Sequence, residues 1–427
     1  MKIFLAIARL IVGSLFIVSG LIKCNDAIGF SYKLNDYFAH DVLNVEFLIP
    51  FSLALAVIIC VVEIVLGIAV LFGLKSKLST VLILLMMLFF TWLTWYTSSC
   101  LQDQEIAAKL GEEFSKNCVT DCGCFGDALK LEPIESFYKD LFLLIFTIPL
   151  FIFSLKNKIT KNSKKEDLQY IVISTLLIVA FGVGVIKWWF TVIFAVILFA
   201  IVYLIKNRTK NDWYPLIATF IISLGFTIYC LQNLPIKDFR AYKIGSNIVE
   251  NMSTPEDAPK PVIDYHWKFN VNGEEKIITT NGSYPTVDGE LVGYETEIIE
   301  EGYEPSILDF SIETMEENFT ERFLSEEKLI IIISYDLEKF NAKSIKTIKD
   351  FSESALKKGY TVIGLSASGE ETKASFKTTN DLKFDWYLCD EKALKTVVRS
   401  NPGILELNKG TINQKVHWKN IDDLILN

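Results

Sequence analysis

Long apolar runs fill the first 232 residues and limit what the chain can fold into. A helix that crosses a bilayer needs about 20 mostly apolar residues. Six runs reach or approach this length, at residues 3–22, 47–73, 78–99, 137–155, 170–205 and 213–232. With 51% hydrophobic residues, the chain is also more apolar than an ordinary soluble enzyme. The pattern therefore predicts an α-helical membrane bundle in a lipid bilayer.

The run at 170–205 is too long for a single crossing. As one helix it would measure roughly 54 Å, against a hydrocarbon core of about 30 Å. Gly182, Gly184 and the cluster 187–189 lie near its middle, where they favour a turn at the membrane interface. We therefore predict two spans here and seven in all, with one re-entrant segment as the alternative.

Lysine and arginine residues concentrate in loops that fall on one side of the predicted bundle. These loops are 74–79, 156–167 and 206–212. Positively charged loops stay in the cytoplasm, so we predict a bacterial inner-membrane protein with a cytoplasmic N-terminus. Seven spans, or five with a re-entrant segment, then place residues 233–427 outside the cytoplasm, in the periplasm.

The last 195 residues have the composition of a water-soluble domain. They carry 23 Lys and Arg against 34 Asp and Glu. Because an acidic surface repels phosphate backbones, this balance argues against a nucleic acid partner. From residue 328 onward, short β-branched runs alternate with helical segments, which predicts an extracytoplasmic α/β domain.

Four cysteines cluster in the loop between the third and fourth predicted spans: Cys100, Cys118, Cys122 and Cys124. Three interpretations are open. A zinc site is disfavoured because C-x3-C-x-C is not the paired C-x2-C spacing of zinc knuckles, so we predict no metal. A structural disulfide would pin the loop. Thiol–disulfide exchange would make the four cysteines catalytic.

The residues around Cys122 and Cys124 favour exchange. Two cysteines separated by one residue close only a small ring, and strained, exposed disulfides are the more oxidising ones. Gly123 supplies the backbone freedom for such a ring, and Gly126 relaxes the following turn. Because Cys100 and Cys118 offer a second pair, a relay from one pair to the other is chemically feasible.

Arg9 lies inside the first predicted span and Glu63 inside the second. Charges within a bilayer are costly, and they mark functional groups or buried pairs. Counted from the inner ends of their spans, the two depths differ by about 6 Å. We therefore predict an Arg9–Glu63 pair that either fixes helix packing or takes part in proton or ligand binding.

The first 155 residues resemble the DoxX/MauE group of bacterial membrane proteins. The resemblance rests on ARLIVGSLFIVSGLIKCNDAIGF near the N-terminus, on an acid and a glycine in the second span, and on CGCFGDALKLEPIESFYKDL before the fourth span. The matching positions are Arg9, Gly13, Ser19, Gly20, Lys23, Asp26, Gly29, Phe30, Glu63, Gly67, Gly123 and Gly126.

The resemblance implies a four-helix DoxX/MauE-like core at 1–155, followed by three additional transmembrane helices at 156–232. Such a core is similar to disulfide-forming proteins of the DsbB and vitamin K epoxide reductase type. MauE-like members are associated with maturing the disulfide-rich subunit of methylamine dehydrogenase, and DoxX-like members with thiosulfate:quinone oxidoreductase. A quinone as cofactor and electron acceptor is implied by this analogy alone.

The end of the chain resembles a thioredoxin-like domain at 326–427, reached through a linker and β-rich segment at 233–325. RSNPGILEL resembles the loop that carries the cis-proline of that fold, here Pro402, and the whole order resembles a Bacteroidota-type fusion. The segment SYDLEKFNAK, at 334–343, lacks the C-x-x-C of a redox-active thioredoxin. We expect Cys389 to be a buried strand residue.

Two functions remain open at this point. In the first, the chain is a thiol–disulfide oxidoreductase that acts on an extracytoplasmic client protein or a thioredoxin-like partner. In the second, it is not an enzyme: its cysteines form a structural disulfide, and its outer domain docks a partner. The clustered cysteines favour the first function, and the missing C-x-x-C favours the second.

Overall fold

Within residues 2–114, 116–159, 161–271 and 273–426, which the computed structural model describes, seven helices are long and apolar enough to cross a membrane. The chain is therefore a multi-pass membrane protein. The helices of this half, including the short α2, are α1 (Lys2–Asn25), α2 (Ala27–Phe38), α3 (Ser52–Phe72), α4 (Ser76–Leu110), α5 (Pro133–Leu155), α6 (Lys164–Ile178), α7 (Phe190–Arg208) and α8 (Trp213–Gln232).

The long apolar run at 170–205 is divided into two helices, as predicted. α6 passes into a wider π-helical segment at Val179–Val185, and α7 begins at Phe190. Gly182 lies against Thr191, and a Cβ on this glycine would come within 2.2 Å of the threonine hydroxyl oxygen. The two helices approach this closely only because residue 182 has no side chain.

α1 packs against α3 through glycines. A Cβ on Gly13 would lie 2.5 Å from Leu71 Cγ and 3.0 Å from the Gly67 carbonyl oxygen, and one on Gly67 would lie 2.7 Å from the Gly13 carbonyl oxygen. Small residues let the backbones of membrane helices come together. The antiparallel register that these glycines fix sets which polar residues of α1 and α3 can meet.

One end of the bundle carries the parts that form the candidate site. α4 has 35 residues, about 52 Å as a helix, so its last turns extend beyond a hydrocarbon core of about 30 Å. Gly111, whose φ is +69°, caps the C-terminus of α4. Residues 112–132 then lead to α5. We call this the domain end of the bundle, because residues 233–426 continue from it.

A three-stranded antiparallel sheet follows the short helix α9 (Ile248–Met252). Its strands, in the order β2-β1-β3, are β1 (Val262–Val271), β2 (Glu274–Thr280) and β3 (Glu290–Glu300). Trp267 of β1 contacts Tyr265 and Tyr294, with ring centroids 5.7 and 5.2 Å apart. This aromatic cluster covers one face of the sheet.

The last part of the chain is a mixed five-stranded sheet with helices. Its elements are α10 (Thr320–Leu324), β4 (Leu329–Ile333), α11 (Ile345–Lys357), β5 (Thr361–Ser366), α12 (Glu370–Thr379), β6 (Trp386–Leu388), α13 (Glu391–Val397), β7 (Gly403–Asn408) and β8 (Thr411–His417). The strand order is β6-β5-β4-β7-β8, in which β4, β5 and β6 are parallel and β7 is antiparallel to β4. The predicted α/β region is confirmed.

The central strand β4 is apolar throughout because both faces of the sheet are covered. Leu329, Ile331 and Ile333 pack into one core, whereas Ile330 and Ile332 pack into the other. Successive side chains of a strand point to opposite faces of the sheet. A continuous apolar sequence such as that of β4 is therefore typical of a strand that is buried on both faces.

Candidate thiol site

The four clustered cysteines form one disulfide and one free pair. Cys100, about three turns before the end of α4, is bonded to Cys118, with Cα atoms 5.7 Å apart. Cys122 and Cys124 are free, and each is 8% exposed. The structure thus brings all four predicted redox residues together at the domain end. The other cysteines are free and buried: Cys24, Cys60, Cys230 and Cys389.

Residues 121–128, which we call the thiol turn, present the free pair. The Asp121 carboxylate accepts a hydrogen bond from the Gly123 N–H at 3.0 Å and pairs with Lys33 at 2.6 Å. Gly123 and Gly126 have φ values of +64° and +50°, in the left-handed region that other L-residues adopt only at a cost. Both glycines singled out in the sequence occupy positions that this turn requires.

Hydrogen bonds make the two free thiols unequal. Cys122 Sγ lies 3.0 Å from Ser136 Oγ and accepts a hydrogen bond from the Cys124 N–H at 3.3 Å. The Cys124 thiol, and after it the Lys139 ammonium, stabilise the Cys122 thiolate and lower the pKa of Cys122 to about 6. The same contact between the thiols, together with burial, raises the pKa of Cys124 well above its ordinary value. At neutral pH, Cys122 is a thiolate beside a protonated partner.

A cavity of about 250 Å³ lies beneath the thiol turn, among the side chains of α1, α3, α4 and α5. Cys124 and Phe125 form part of its wall, and most of the remaining wall is apolar. Two ion pairs also face it, Lys23–Glu63 at 2.5 Å and Lys139–Asp140 at 3.0 Å. The cavity therefore combines apolar walls, paired charges and one of the free thiols.

Glu63, the acid predicted inside the second span, pairs with Lys23. Both side chains are 2% exposed. The Ser19 hydroxyl lies 3.1 Å from Glu63 Oε2 and 3.1 Å from the Cys124 carbonyl oxygen. Ser19 thus bridges the buried ion pair and the thiol turn. Three positions that carry the family resemblance contribute to this polar connection: Ser19 and Lys23 of the first helix and Glu63 of the second span.

The expected Arg9–Glu63 ion pair is not formed. Arg9 donates hydrogen bonds to the carbonyl oxygens of Val70 and Leu71, at 2.8 and 2.9 Å, and to Asn162 Oδ1 at 2.7 Å. The glycine register of α1 and α3 places residue 9 beside the C-terminal end of α3, about two turns from Glu63. There Arg9 satisfies carbonyl groups that have no partner within their own helix.

Asp26 caps α2 and also contacts the last domain. Its carboxylate accepts a hydrogen bond from the Gly29 N–H at 2.8 Å and lies 2.9 Å from Arg399 Nε. An open cleft of about 860 Å³ separates α2 and the thiol turn from the region of α13, and Cys118 and Gly123 lie in its wall. The cleft leads from the outside of the bundle to the cysteine loop.

Sequence reasoning missed four residues that complete the site: Ser136, Lys139, Asp140 and Arg399. The first three lie one turn apart on α5, at a spacing that puts them on one helix face. SFYKD directly after the cysteine loop was therefore a usable signal. No sequence signal pointed to Arg399. It is 373 positions from Asp26 along the chain, and only the fold brings the two residues together.

The fold and the site define a polytopic membrane protein with a cysteine-bearing loop at one end and an α/β region after the last span. Residues 1–103 match the family model of methylamine utilisation protein MauE. The match covers α1 to α3 and most of α4, and it ends before Cys118, Cys122 and Cys124. The predicted similarity to MauE is confirmed for these residues. No curated protein sequence matches the chain.

Proposed function

We propose that this chain is a membrane thiol–disulfide oxidoreductase that helps to mature an extracytoplasmic client protein. The observation that carries the proposal is the free Cys122–Cys124 pair, which lies between an open cleft and a cavity inside the bundle. A thiolate next to a protonated thiol is the pair of groups that thiol–disulfide exchange uses. The similarity of residues 1–103 to MauE supports an accessory role in methylamine utilisation.

In the oxidising direction, the pair begins as a Cys122–Cys124 disulfide. A client thiolate attacks one sulfur, which forms a mixed disulfide and breaks the bond between the two cysteines. The second client thiolate then displaces the pair from the mixed disulfide. The client loses two electrons and two protons; the pair gains the two electrons and one proton, held on Cys124, while Cys122 remains a thiolate and one proton is released.

We further propose a quinone as the acceptor that reoxidises the pair. The cavity fits a quinone head group, because its apolar walls suit a ring and its two lysines, Lys23 and Lys139, suit ring oxygens. When bound, a quinone would supply an acceptor for two electrons and two protons. Glu63 and Asp140 hold the two ammonium groups in place and offset the cost of burying them.

The proposal places the domain end outside the cytoplasm of a bacterial inner membrane, where disulfides persist. The basic loops at 74–79, 156–167 and 206–212 all lie at the opposite end of the bundle, as the positive-inside rule expects for the cytoplasmic side. A reporter fused to the C-terminus should be active only in the periplasm. Reporter activity in the cytoplasm would exclude this placement.

We propose that residues 326–427 are a thioredoxin-like domain without exchange activity of its own, in a Bacteroidota-type fusion. Support comes from the strand order, from the proline loop directly before β7, and from the absence of C-x-x-C in 334–343. The Asn401 amide donates a hydrogen bond to the Asp336 carbonyl oxygen at 3.0 Å, so the two loops meet at one edge. This domain would hold a client above the cleft.

Alkylation trapping in native membranes tests the exchange function. Exchange is reversible, so the Cys122 thiolate of Cys124→Ser can attack the disulfide of an oxidised client. The variant should accumulate this mixed disulfide on Cys122, because Cys124, the thiol that resolves it in the reverse direction, is missing. Cys389→Ser is the matched control, since Cys389 is a buried cysteine of the last domain, and this variant should trap nothing. The proposal fails if the pair keeps one redox state under all growth conditions and no mixed disulfide forms.

A non-enzymatic scaffold is the second candidate. It is favoured by the Cys100–Cys118 disulfide, which already pins the loop, and by the missing C-x-x-C in 334–343. A scaffold requires its docking domain but not its free thiols. Under this alternative, the client should mature normally in cells that carry the double variant Cys122→Ser, Cys124→Ser. Disrupting the last domain should abolish client maturation.

A further inference from the structure

Arg399 connects three parts of the chain that are far apart in sequence. It is 7% exposed, its Nε lies 2.9 Å from Asp26 Oδ2, and its Nη2 lies 3.2 Å from Asp127 Oδ2. Its guanidinium also lies over the ring of Tyr32, 5.4 Å from the centroid. Asp26 is the N-cap of α2 and Tyr32 lies in the middle of that helix, whereas Asp127 directly follows C-G-C-F-G.

We infer that Arg399 is a positioning residue for the Cys122–Cys124 pair, supplied by the last domain to complete a site whose thiols lie in the membrane domain. The inference rests on the proposed function, because it names the residue that holds the working pair in place. It also gives the last domain a role that needs no dithiol of its own: the domain contributes the cation that fixes the thiol turn.

The thiol turn is anchored by one ion pair on each side. Before the thiols, Asp121 pairs with Lys33 of α2 at 2.6 Å, and both side chains are partly exposed. After the thiols, Asp127 pairs with Arg399 at 3.2 Å; Asp127 is partly exposed, whereas Arg399 is almost fully buried. Exposed pairs contribute little, whereas a buried, hydrogen-bonded arginine holds its partners in a defined geometry. The second anchor therefore differs from the first in its cation, which is buried and is held in place by Asp26.

The binding place for Arg399 depends on a glycine. A Cβ on Gly29 would lie 2.6 Å from Arg399 Nη2 and 2.6 Å from Asp26 Oδ2. A larger residue at 29 would push the guanidinium away from the carboxylate. Asp26 and Gly29 are both among the positions that carry the family resemblance. In the structure, they form a socket that holds the Arg399 side chain.

Charge complementarity supports the same assignment. Burial opposes ionisation of Asp26, but the charges of Arg399 and then Arg240 hold the pKa of this carboxyl below its ordinary value. If Arg399 were neutral, Asp127 would lose the cation that it contacts, and Asp26 would keep only the charge of Arg240. Asp127 would then have no fixed partner on the last domain, and the turn that carries both thiols would lose this anchor.

The test measures the reactivity of Cys122 in the full-length protein, with the pair reduced, by alkylation and peptide mass spectrometry across a pH range. Arg399→Gln should raise the midpoint pH of Cys122 alkylation by about one unit, a tenfold change in acid constant, because Cys122 loses its fixed contacts with Ser136 and Cys124. Its limiting rate at high pH should rise several-fold as the turn opens. Glu327→Gln, which breaks an exposed ion pair with Lys409, is the matched control and should change neither value.

Asp127→Asn separates positioning from simple loss of the last domain. This variant keeps the Arg399–Asp26 contact and replaces the ion pair with the turn by a weaker, neutral hydrogen bond. It should shift the midpoint in the same direction as Arg399→Gln while the last domain stays resistant to protease. Arg399→Lys keeps the charge without the two-sided geometry, and it should fall between wild type and Arg399→Gln.

The inference is overturned if Arg399→Gln and Asp127→Asn both leave the midpoint and the limiting rate of Cys122 at the wild-type values. It is also overturned if Arg399→Gln shifts them while Asp127→Asn does not, because the effect then belongs to domain docking alone. Alkylation needs neither a client nor an acceptor. The exchange function can therefore fail in the trapping experiment while Arg399 is still shown to position the pair.

Discussion

Replacing Cys124 by alanine removes the group that contributes most to the low pKa of Cys122. The folded protein holds that pKa at about 6, against an ordinary value of 9.0. At pH 7, a pKa of about 6 leaves roughly nine tenths of the thiol ionised, against roughly one hundredth at the ordinary value. Cys124→Ala should therefore move the pKa upward, and it should slow alkylation of Cys122 at pH 7 by several-fold to tens of fold.

The assay is the alkylation rate of the reduced protein between pH 5 and 9, resolved for Cys122 by mass spectrometry. Other groups that face the Cys122 thiol are Ser136 and Lys139 of α5 and Tyr37 of α2, and Asp140 of α5 faces Cys124. Lys139→Met should shift the midpoint in the same direction, because the ammonium favours the thiolate. A wild-type midpoint near the ordinary value, or a Cys124→Ala midpoint equal to that of wild type, would refute the reasoning.

The same shift has a consequence for stability. The folded pKa of Cys122 lies below the unfolded value, so ionisation of this thiol contributes stability that is fully present above pH 9 and is lost as the pH falls through about 6. Between these values, the melting temperature of the wild type should rise with pH relative to that of Cys122→Ser. A pH-independent difference between the two proteins would contradict this.

Three further predictions concern the helix bundle and its loop. Glu63→Gln leaves the Lys23 ammonium buried without its partner and should cost about 3–5 kcal/mol in thermal unfolding, and replacing Lys23 by methionine in the same chain should recover much of this loss. Cys100→Ser opens a disulfide between residues 18 positions apart, which should cost about 3 kcal/mol and speed proteolysis of the loop. If the Cys100–Cys118 bond is only structural, exchange at the free pair should survive this change. Arg9→Lys keeps the positive charge but removes the planar guanidinium, whose N–H groups donate hydrogen bonds to Val70, Leu71 and Asn162. It should destabilise the bundle by about 1–3 kcal/mol in the same unfolding assay.

The location of the thiol site could be predicted from sequence, but its chemistry could not. The cysteine cluster and its two glycines are contiguous, so spacing alone indicated a tight, thiol-bearing turn. Which cysteines pair was open, because four cysteines allow three pairings. The structure bonds Cys100 to Cys118 and leaves the other two free, since the turn of α4 that carries Cys100 lies beside residue 118.

The charged residues of the bundle show why depth counting is insufficient. Arg9 and Glu63 were expected to pair because their estimated depths were close. The close approach of α1 and α3 instead brings Glu63 to Lys23 and Arg9 to the end of α3. Charge alone marks a buried residue as important, but its partner depends on helix register, which glycines at the contact decide.

The sequence by itself determined the features that depend on neighbouring residues. Apolar length set the seven helices, the glycine and tryptophan cluster divided the 170–205 run, and β-branched runs alternating with helices set the α/β region. Only the tertiary structure decided the contacts between distant segments: the disulfide, the Lys23–Glu63 pair, and the socket in which Asp26 and Asp127 receive Arg399. The physical reason is that a span or a strand follows from local hydrophobicity and propensity, whereas a buried charge is placed by whichever distant group the packing brings within a few ångströms.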